Sequence, residues 1–494
     1  MAQPLTIDRK TPLLDPGLNR LPGKLERIHL MGICGTGMAS LAGMLKERGL
    51  TVTGSDQNTY PPMSDFLERL GIDVRQGYAA ANLMPRPDLV IVGNVITREN
   101  PEAAALAAAA IPYLSFPQAL QAFAFEDKRC VVVAGTHGKT TTASLAAWVL
   151  TCAGLAPGFM IGGIPGNFER NFNAGDGPYF IIEGDEYDTA FFDKGPKFLH
   201  YRPWMTLLTS IEFDHADIYR DLAHVRESFA RLIQLIPADG RLIVNGEDPV
   251  VMEEARRSRA PVVRYGFTAG MDWCAEGVET IGAVTHFDVR KGEERIMRCE
   301  TPLYGRHNIA NALSVIALAD ALGIEVSKTV AALQAFKGVK RRQEVVGEAS
   351  GVLVIDDFAH HPTAVRETIL AVKSRYPDRR LLALFEPRSN SSRRSVFQDR
   401  YALAFDAADG VFIPDPVLMQ KIRPEERFSS ARLVEDLRAR GLEAFHAPHA
   451  EGIMEILQGE VREGDVLLFM SNGGFENLPR RVLERLTRVG STGR

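Results

Sequence analysis

No Cys-x-x-Cys pair occurs in this chain of 494 residues; its five cysteines, Cys34, Cys130, Cys152, Cys274 and Cys299, are scattered. Such spacing argues against a disulfide framework or a cysteine zinc site and fits a reducing cytoplasm. No uninterrupted apolar stretch is long enough to span a bilayer. The first two dozen residues, polar and dotted with proline, lack the apolar core of a signal peptide. Neither sign of charge dominates: 57 basic and 62 acidic residues leave a formal net charge of −5. That balance gives no electrostatic case for a nucleic-acid partner or an anionic membrane. Internal repeats and low-complexity segments are missing as well. The expectation is a cytoplasmic protein without membrane insertion, too long for a single core.

What is present is an alternation of short apolar strands and amphipathic helices. This implies an α/β fold of parallel sheets covered on both faces. Three stretches separate, with expected domains at 25–121, 122–338 and 339–494. The first carries strands at Arg27–Met31, Leu50–Thr53 and Leu89–Val92, with a helix Met38–Arg48 closed by Gly49. The second has strands at Val131–Ala134, Phe180–Ile182 and Met205–Thr209. A β-rich passage, Val262–Pro302, and an alanine-rich helix, Asn308–Ala321, follow. The third has strands at Val352–Ile355, Leu381–Phe385 and Val466–Met470.

The most informative segment is Gly135-Thr136-His137-Gly138-Lys139-Thr140-Thr141-Thr142, at the end of the apolar strand Val131–Ala134. A strand that turns through glycines into a helix, here Thr140–Leu150 with Gly154 as its stop, aims backbone N–H groups and the positive helix end at one point. That point suits phosphate. Lys139 adds a mobile charge and Thr140 a hydroxyl suited to Mg²⁺. Val133 stands where the usual phosphate loop has its first glycine. A second loop, Gly32-Ile33-Cys34-Gly35-Thr36-Gly37, follows the first strand, with Asp56 about twenty residues on. Its glycine order is not that of nicotinamide binders; alone it permits a ligand-free turn or a dehydrogenase domain. Cys34 there reads as a small filler, or as a thiol whose alkylation blocks a ligand. Acids leave two later strands, in Glu183-Gly184-Asp185-Glu186-Tyr187-Asp188 and in Glu212-Phe213-Asp214-His215. Glu183, Thr140 and His215 are expected to converge on one metal ion.

With these segments in hand the chain resembles the Mur ligase family, the ATP-dependent amide ligases of bacterial cell-wall synthesis. The phosphate loop is similar to that family's Gly-Thr-x-Gly-Lys-Thr-Thr. Gly305-Arg306-His307-Asn308-Ile309-Ala310-Asn311-Ala312 is similar to its Gly-x-His-Asn-x-x-Asn-Ala. Arg341-Arg342 and Asp356-Asp357-Phe358-Ala359-His360-His361-Pro362-Thr363 resemble its third-domain motifs. The resemblance covers nearly the whole chain. It implies a Rossmann-like UDP-binding domain, a central phosphate-loop ATPase domain and a Rossmann-like third domain. Details such as Tyr187, Ala216 and Phe385-Glu386-Pro387-Arg388-Ser389-Asn390 resemble the branch that attaches the tripeptide L-Ala-γ-D-Glu-meso-diaminopimelate to UDP-N-acetylmuramate. The alternative is the branch that adds free L-alanine. Ser210 stands where many members have asparagine. No lysine lies between Ala216 and Ile236, so the carbamoylated lysine of some members has no counterpart.

The resemblance implies an acyl-phosphate route: ATP phosphorylates the muramate carboxylate, and the peptide amine displaces phosphate. It assigns Lys139 and the amides of Gly135–Thr141, including Thr136, His137 and Gly138, to the phosphates. Thr140, Glu183 and His215 go to Mg²⁺. Asn308 and Asn311, which their i, i+3 spacing puts on one face of a helix, take adenine, with capping the other role for Asn308. Asp357 takes ribose, and Arg342 lies near the phosphates. Gly32, Gly35, Gly37, Ser55 and Asp56 are assigned to the UDP-sugar, and Arg388 to the peptide's carboxylates. Arg393 and Arg394 read as weaker candidates, and His360 and His361 as turn or peptide residues. The expected partners are these small molecules, in a monomer or weak homodimer.

Overall fold

The computed structural model describes residues 14–59 and 63–492, so the leader reading of the first two dozen residues falls largely outside it. The first sheet runs Asp73–Gln76, Thr51–Asp56, Arg27–Met31, Leu89–Val92, Tyr113–Ser115, all parallel among the described residues. Strand order reverses beside Arg27–Met31, and the glycine loop leaves that strand at the switch point, where open α/β sheets take ligands. The second strand runs on to Asp56, beyond the expected Thr53, because its register continues with Met31 opposite Ser55 and Asp56 opposite Gln76. The helix starts at Thr36, earlier than expected, and Gly49 at φ +84° closes it.

Among the described residues the central sheet has ten strands, with Arg129–Ala134 parallel to Tyr179–Gly184 on one side and Pro203–Leu208 on the other. Alternate residues serve alternate layers, as a pleated strand requires. Val131 and Val133 pack under the helices Lys139–Cys152 and Arg306–Ala321, while Val132 and Ala134 join a core continuous with that of the first domain. Gly154, at φ +82°, ends the first of these helices as expected; its N–H bonds Thr151 O, and Leu155 N–H bonds Leu150 O. Glu183 belongs to its strand, not the loop beyond it. The β-rich passage opens with a parallel strand, Val262–Gly266, and continues as an antiparallel meander of Trp273–Ile281, Val284–Lys291 and Glu294–Thr301.

The third sheet places Val352–Asp357 beside Val466–Met470, then Leu381–Phe385, Gly410–Pro414 and Glu443–Ala447, all parallel, with Glu344–Ala349 antiparallel at the edge. The proposed boundary after 121 falls at the helical turn Gln121–Phe125, and that after 338 in the link between sheets. Among the described residues no helix is long and apolar enough to cross a membrane.

Candidate active site

The phosphate loop is built on glycines that nothing else replaces. Gly135 has φ +130°, and a Cβ there would lie 2.2 Å from Thr209 Oγ1; Gly138 has φ +82°, and its Cβ would lie 2.7 Å from Asn311 Oδ1. The expectation that every amide from 135 to 141 faces phosphate fails for two. Thr136 N–H donates to Ser210 O at 3.0 Å and His137 N–H to Ser210 Oγ at 3.1 Å. Ser210 therefore braces the loop. The other amides of the run are those of Gly135 and Gly138 and of the first helical turn, Lys139, Thr140 and Thr141, ahead of the first intrahelical bond from Thr142 N–H to Gly138 O.

Two charged clusters flank that turn. In one, Lys139 Nζ donates to Glu186 at 2.9 and 3.2 Å and to Gly135 O at 2.5 Å, and His215 Nε2 meets the same Glu186 at 3.1 Å. Burial works against the charge on Lys139, but Glu186, Asp185 and Glu183 outweigh it and hold the amine above its usual range. His215 is raised likewise: burial opposes the charge, and Glu186 and Asp214 win. Asp185, bonded by Lys197 at 2.6 Å, drops to about 2 despite its burial. In the other cluster Thr140 Oγ1 donates to Glu183 at 3.0 Å and accepts from Arg342 at 3.1 Å, while Gly162 N–H donates to Glu183 at 2.6 Å. Burial raises the Glu183 carboxyl despite these partners. Thr140, Glu183 and Arg342 are thus brought together, whereas His215 turns to Glu186 on the far side of Lys139.

His137 points its ring away from the phosphate side. It packs on His361, 4.5 Å between centroids, and lies 3.3 Å from Glu212. By distance alone His137, Glu212 and His361 could hold a metal ion. Both nitrogens of His361 are engaged, however. Nδ1 accepts from Thr363 N–H, capping the helix Pro362–Arg375, and Nε2 donates to Phe213 O at 3.1 Å. Burial pushes that ring down to about 3, so it is neutral. Glu212 accepts from Thr363 Oγ1 at 2.8 Å and Arg400 at 2.9 Å. The cluster clasps the central domain to the third.

Asn308 does not cap its helix; Gly305 does, and the Asn308 amide donates to Tyr304 O and Gln343 Oε1, both at 2.9 Å. Asp357 ends its strand and accepts from Gln343 N–H and Ala359 N–H at 2.7 Å each. In the first loop Asp56 accepts from Cys34 N–H at 2.9 Å, and Gly32 takes φ +80°. Burial and Asp56 lift the Cys34 thiol to about 11, which leaves it protonated and unreactive at neutral pH. Ser55, expected on the UDP-sugar, is instead fully enclosed and donates to Glu102 at 2.7 Å. Arg388 donates to Glu386 at 3.1 Å and packs across Gly473. Arg393 bonds Asn390 and Leu418 O, and Arg394 bonds Glu426. A cleft of about 1880 Å³ joins Gly37 of the first domain, Lys139, Glu183 and His215 of the second, and Asp357 of the third. That volume exceeds what one small ligand needs.

Family models match the chain in three consecutive segments: the Mur ligase family catalytic domain over 27–127, the Mur ligase middle domain over 133–319 and the Mur ligase glutamate ligase domain over 341–473. The chain belongs to the Mur ligase family. It is 39% identical over 475 residues to the UDP-N-acetylmuramate–L-alanyl-γ-D-glutamyl-meso-2,6-diaminoheptandioate ligase of Escherichia coli, covering 94% of this chain and 98% of that protein. Among solved structures it is similar to a murein peptide ligase from Psychrobacter arcticus, with TM-score 0.70, 35% identity, and 94% and 99% of the two chains covered. It is also similar to the UDP-N-acetylmuramate–alanine ligase of Thermotoga maritima, with TM-score 0.77, 25% identity and the same coverage.

In this Mur ligase, sequence reasoning passed over Glu186 as a partner, although it lies in the same acidic run as Glu183. It gave Glu212 and Gln343 no role. Their contacts lie 151 and 35 residues away along the chain, and no local spacing encodes them.

Proposed function

We propose that this Mur ligase joins the tripeptide L-Ala-γ-D-Glu-meso-diaminopimelate to UDP-N-acetylmuramate, releasing ADP and phosphate from ATP. The observation that carries the reading is a phosphate loop opening into a cleft lined by three domains, in a chain 39% identical to such a ligase over nearly its full length. Three substrates need that room. A reaction that consumes ATP belongs in the cytoplasm, and the proposed working unit is a monomer or weak homodimer.

A carboxylate is a poor acyl donor, because amine attack would have to expel oxide. Phosphorylation of the muramate carboxyl oxygen supplies a leaving group; the alanyl amine then adds to the acyl carbon and phosphate departs. Lys139 and the amides of Gly138–Thr141 steady the transferring phosphoryl group. In doing so Lys139 exchanges Glu186 for phosphate oxygens. Asn308 and Asn311 receive adenine, Asp357 the ribose, and Arg342, already on Thr140, the phosphates. Gly32, Gly35, Gly37 and Asp56 shape the UDP-sugar site, and Arg388 offers its guanidinium edge to a peptide carboxylate.

The Thr140 hydroxyl and the half-buried Glu183 carboxylate are hard oxygen donors at 3.0 Å from each other, and they fit Mg²⁺. They would hold it, joined by His215 if that ring leaves Glu186. When bound, the ion supplies positive charge against the phosphate oxygens.

Free L-alanine as the acceptor is the second reading, favoured by the higher TM-score of the alanine ligase. That score reports backbone placement, whereas the chain is 39% identical to the tripeptide ligase of Escherichia coli and 25% identical to that alanine ligase. The test is competition: with ATP and UDP-N-acetylmuramate, equimolar tripeptide and L-alanine should give almost wholly the tripeptide product. Predominant alanine product would overturn the reading.

A further inference from the structure

Glu102 is a charged residue with no exposed surface, in the first turn of the helix Pro101–Ala109, and the chemistry above makes no use of it. Enclosing a carboxylate is unfavourable unless its oxygens are fully bonded, and here they are. Oε1 lies 2.8 Å from His29 Nε2 and accepts from Ser55 Oγ at 2.7 Å; Oε2 accepts from Asn82 Nδ2 at 2.7 Å and Ala79 N–H at 3.2 Å. Burial opposes the charge, but the bonds from His29, Ser55 and Asn82 keep the carboxyl below its usual range, so it is ionised.

These donors come from different pieces of chain around one feature. His29 lies on the strand that runs into the glycine loop. Ser55 lies on its neighbour, and the Ser55 carbonyl accepts the loop amides of Gly32 at 2.8 Å and Ile33 at 3.1 Å. Ala79 and Asn82 belong to the segment after Asp73–Gln76, where the Tyr78 hydroxyl approaches to 3.9 Å from the Cβ position of Gly32. One carboxylate therefore ties together the strand ends beneath the loop. We propose that Glu102 is a positioning residue for the sugar-nucleotide site: its four bonds hold the 32–37 loop and the 77–82 segment in the arrangement that binds the UDP moiety. The proposal rests on the reading that this loop takes UDP-N-acetylmuramate.

The test uses the full chain, with calorimetric binding of UDP-N-acetylmuramate and steady-state kinetics for all three substrates. Glu102→Gln keeps the shape and removes the charge. Its Kd and KM for UDP-N-acetylmuramate should rise about tenfold, the factor that loss of one charged hydrogen bond produces. The KM values for ATP and tripeptide should stay put. Asn82→Ala, which removes one donor and leaves the charge, should weaken the same substrate less. It decides the matter if Glu102→Gln does not fold. Unchanged sugar-nucleotide affinity with a lowered Tm would overturn the proposal, as would a parallel rise in all three KM values. If the unsubstituted protein fails to bind UDP-N-acetylmuramate, the reading of the loop falls first.

Discussion

Lys139 is a half-buried amine held by the buried Glu186 and by a loop carbonyl. Removing it strips a buried carboxylate of its cation, so Lys139→Ala should abolish phosphate release and also lower stability by about 3 kcal/mol. Urea unfolding beside the activity assay checks both effects. Arg388, anchored by Glu386, points to a second outcome. Arg388→Ala should raise the tripeptide KM well above any change in the ATP KM; equal changes would remove its assignment to the peptide. Residue identity alone made Lys139, Thr140 and Glu183 legible, because a phosphate loop is a local motif whose parts fall within one turn or one strand end. The bond from Ser55 to Glu102 is not legible, because its neighbours in sequence do not reveal which way a side chain faces once Glu102 arrives from another element.

Among elements, the helix Lys139–Cys152 and the helix Arg306–Ala321 meet where Gly138 faces Asn311. Gly138→Ala adds a Cβ at a left-handed position against that amide. Its expected cost is about 1–2 kcal/mol, with a larger loss in ATP affinity than in UDP-sugar affinity, measurable by calorimetry. At the edge of the third sheet Asp356 stands directly opposite Glu344 in antiparallel register, with Arg341 at 3.2 Å. Burial, helped by Asp357 and Glu344 against Arg341, pushes Asp356 up to about 6. The folded state therefore favours the protonated acid. This stability is fully present below pH 4 and is lost as pH rises through 6, to an extent of about 3 kcal/mol. Asp356→Asn should flatten the stability profile between pH 4 and 7 in urea titrations; an unaltered slope would exclude Asp356 as its source. Strand positions were legible from apolar runs such as Val466–Met470, whose ends coincide with those of the observed strand, but the end of the second strand was not. Register with a neighbour carries Thr51–Asp56 past its apolar stretch.

For the whole molecule, the central and third domains are joined by side chains that converge on the site. Glu212 holds Thr363 and Arg400, His361 holds Phe213 O, Ser391 accepts from Ala216 N–H, Asn390 bonds Asp217, and Arg342 reaches Thr140. Glu212→Ala should loosen this clasp. Cleavage in the link at 339–344 should then quicken under limited proteolysis. Phosphate release should exceed amide formation, because an acyl phosphate in an open cleft meets water. A coupling ratio that stays at one would show that closure does not depend on Glu212.

Taken by itself, the order of residues determined the α/β class, the phosphate loop and the acids at the strand ends, because each depends on periodicity or spacing within some twenty residues; the family followed from the resemblance of motifs spread along nearly the whole chain. Only the tertiary structure decided which partner each charged group takes. Lys139 meets Glu186, His137 turns to the third domain, Ser55 bonds Glu102, and Asn308 reads Gln343. Electrostatic and hydrogen-bond partners are chosen by distance in space, and folding brings together groups that the chain keeps far apart.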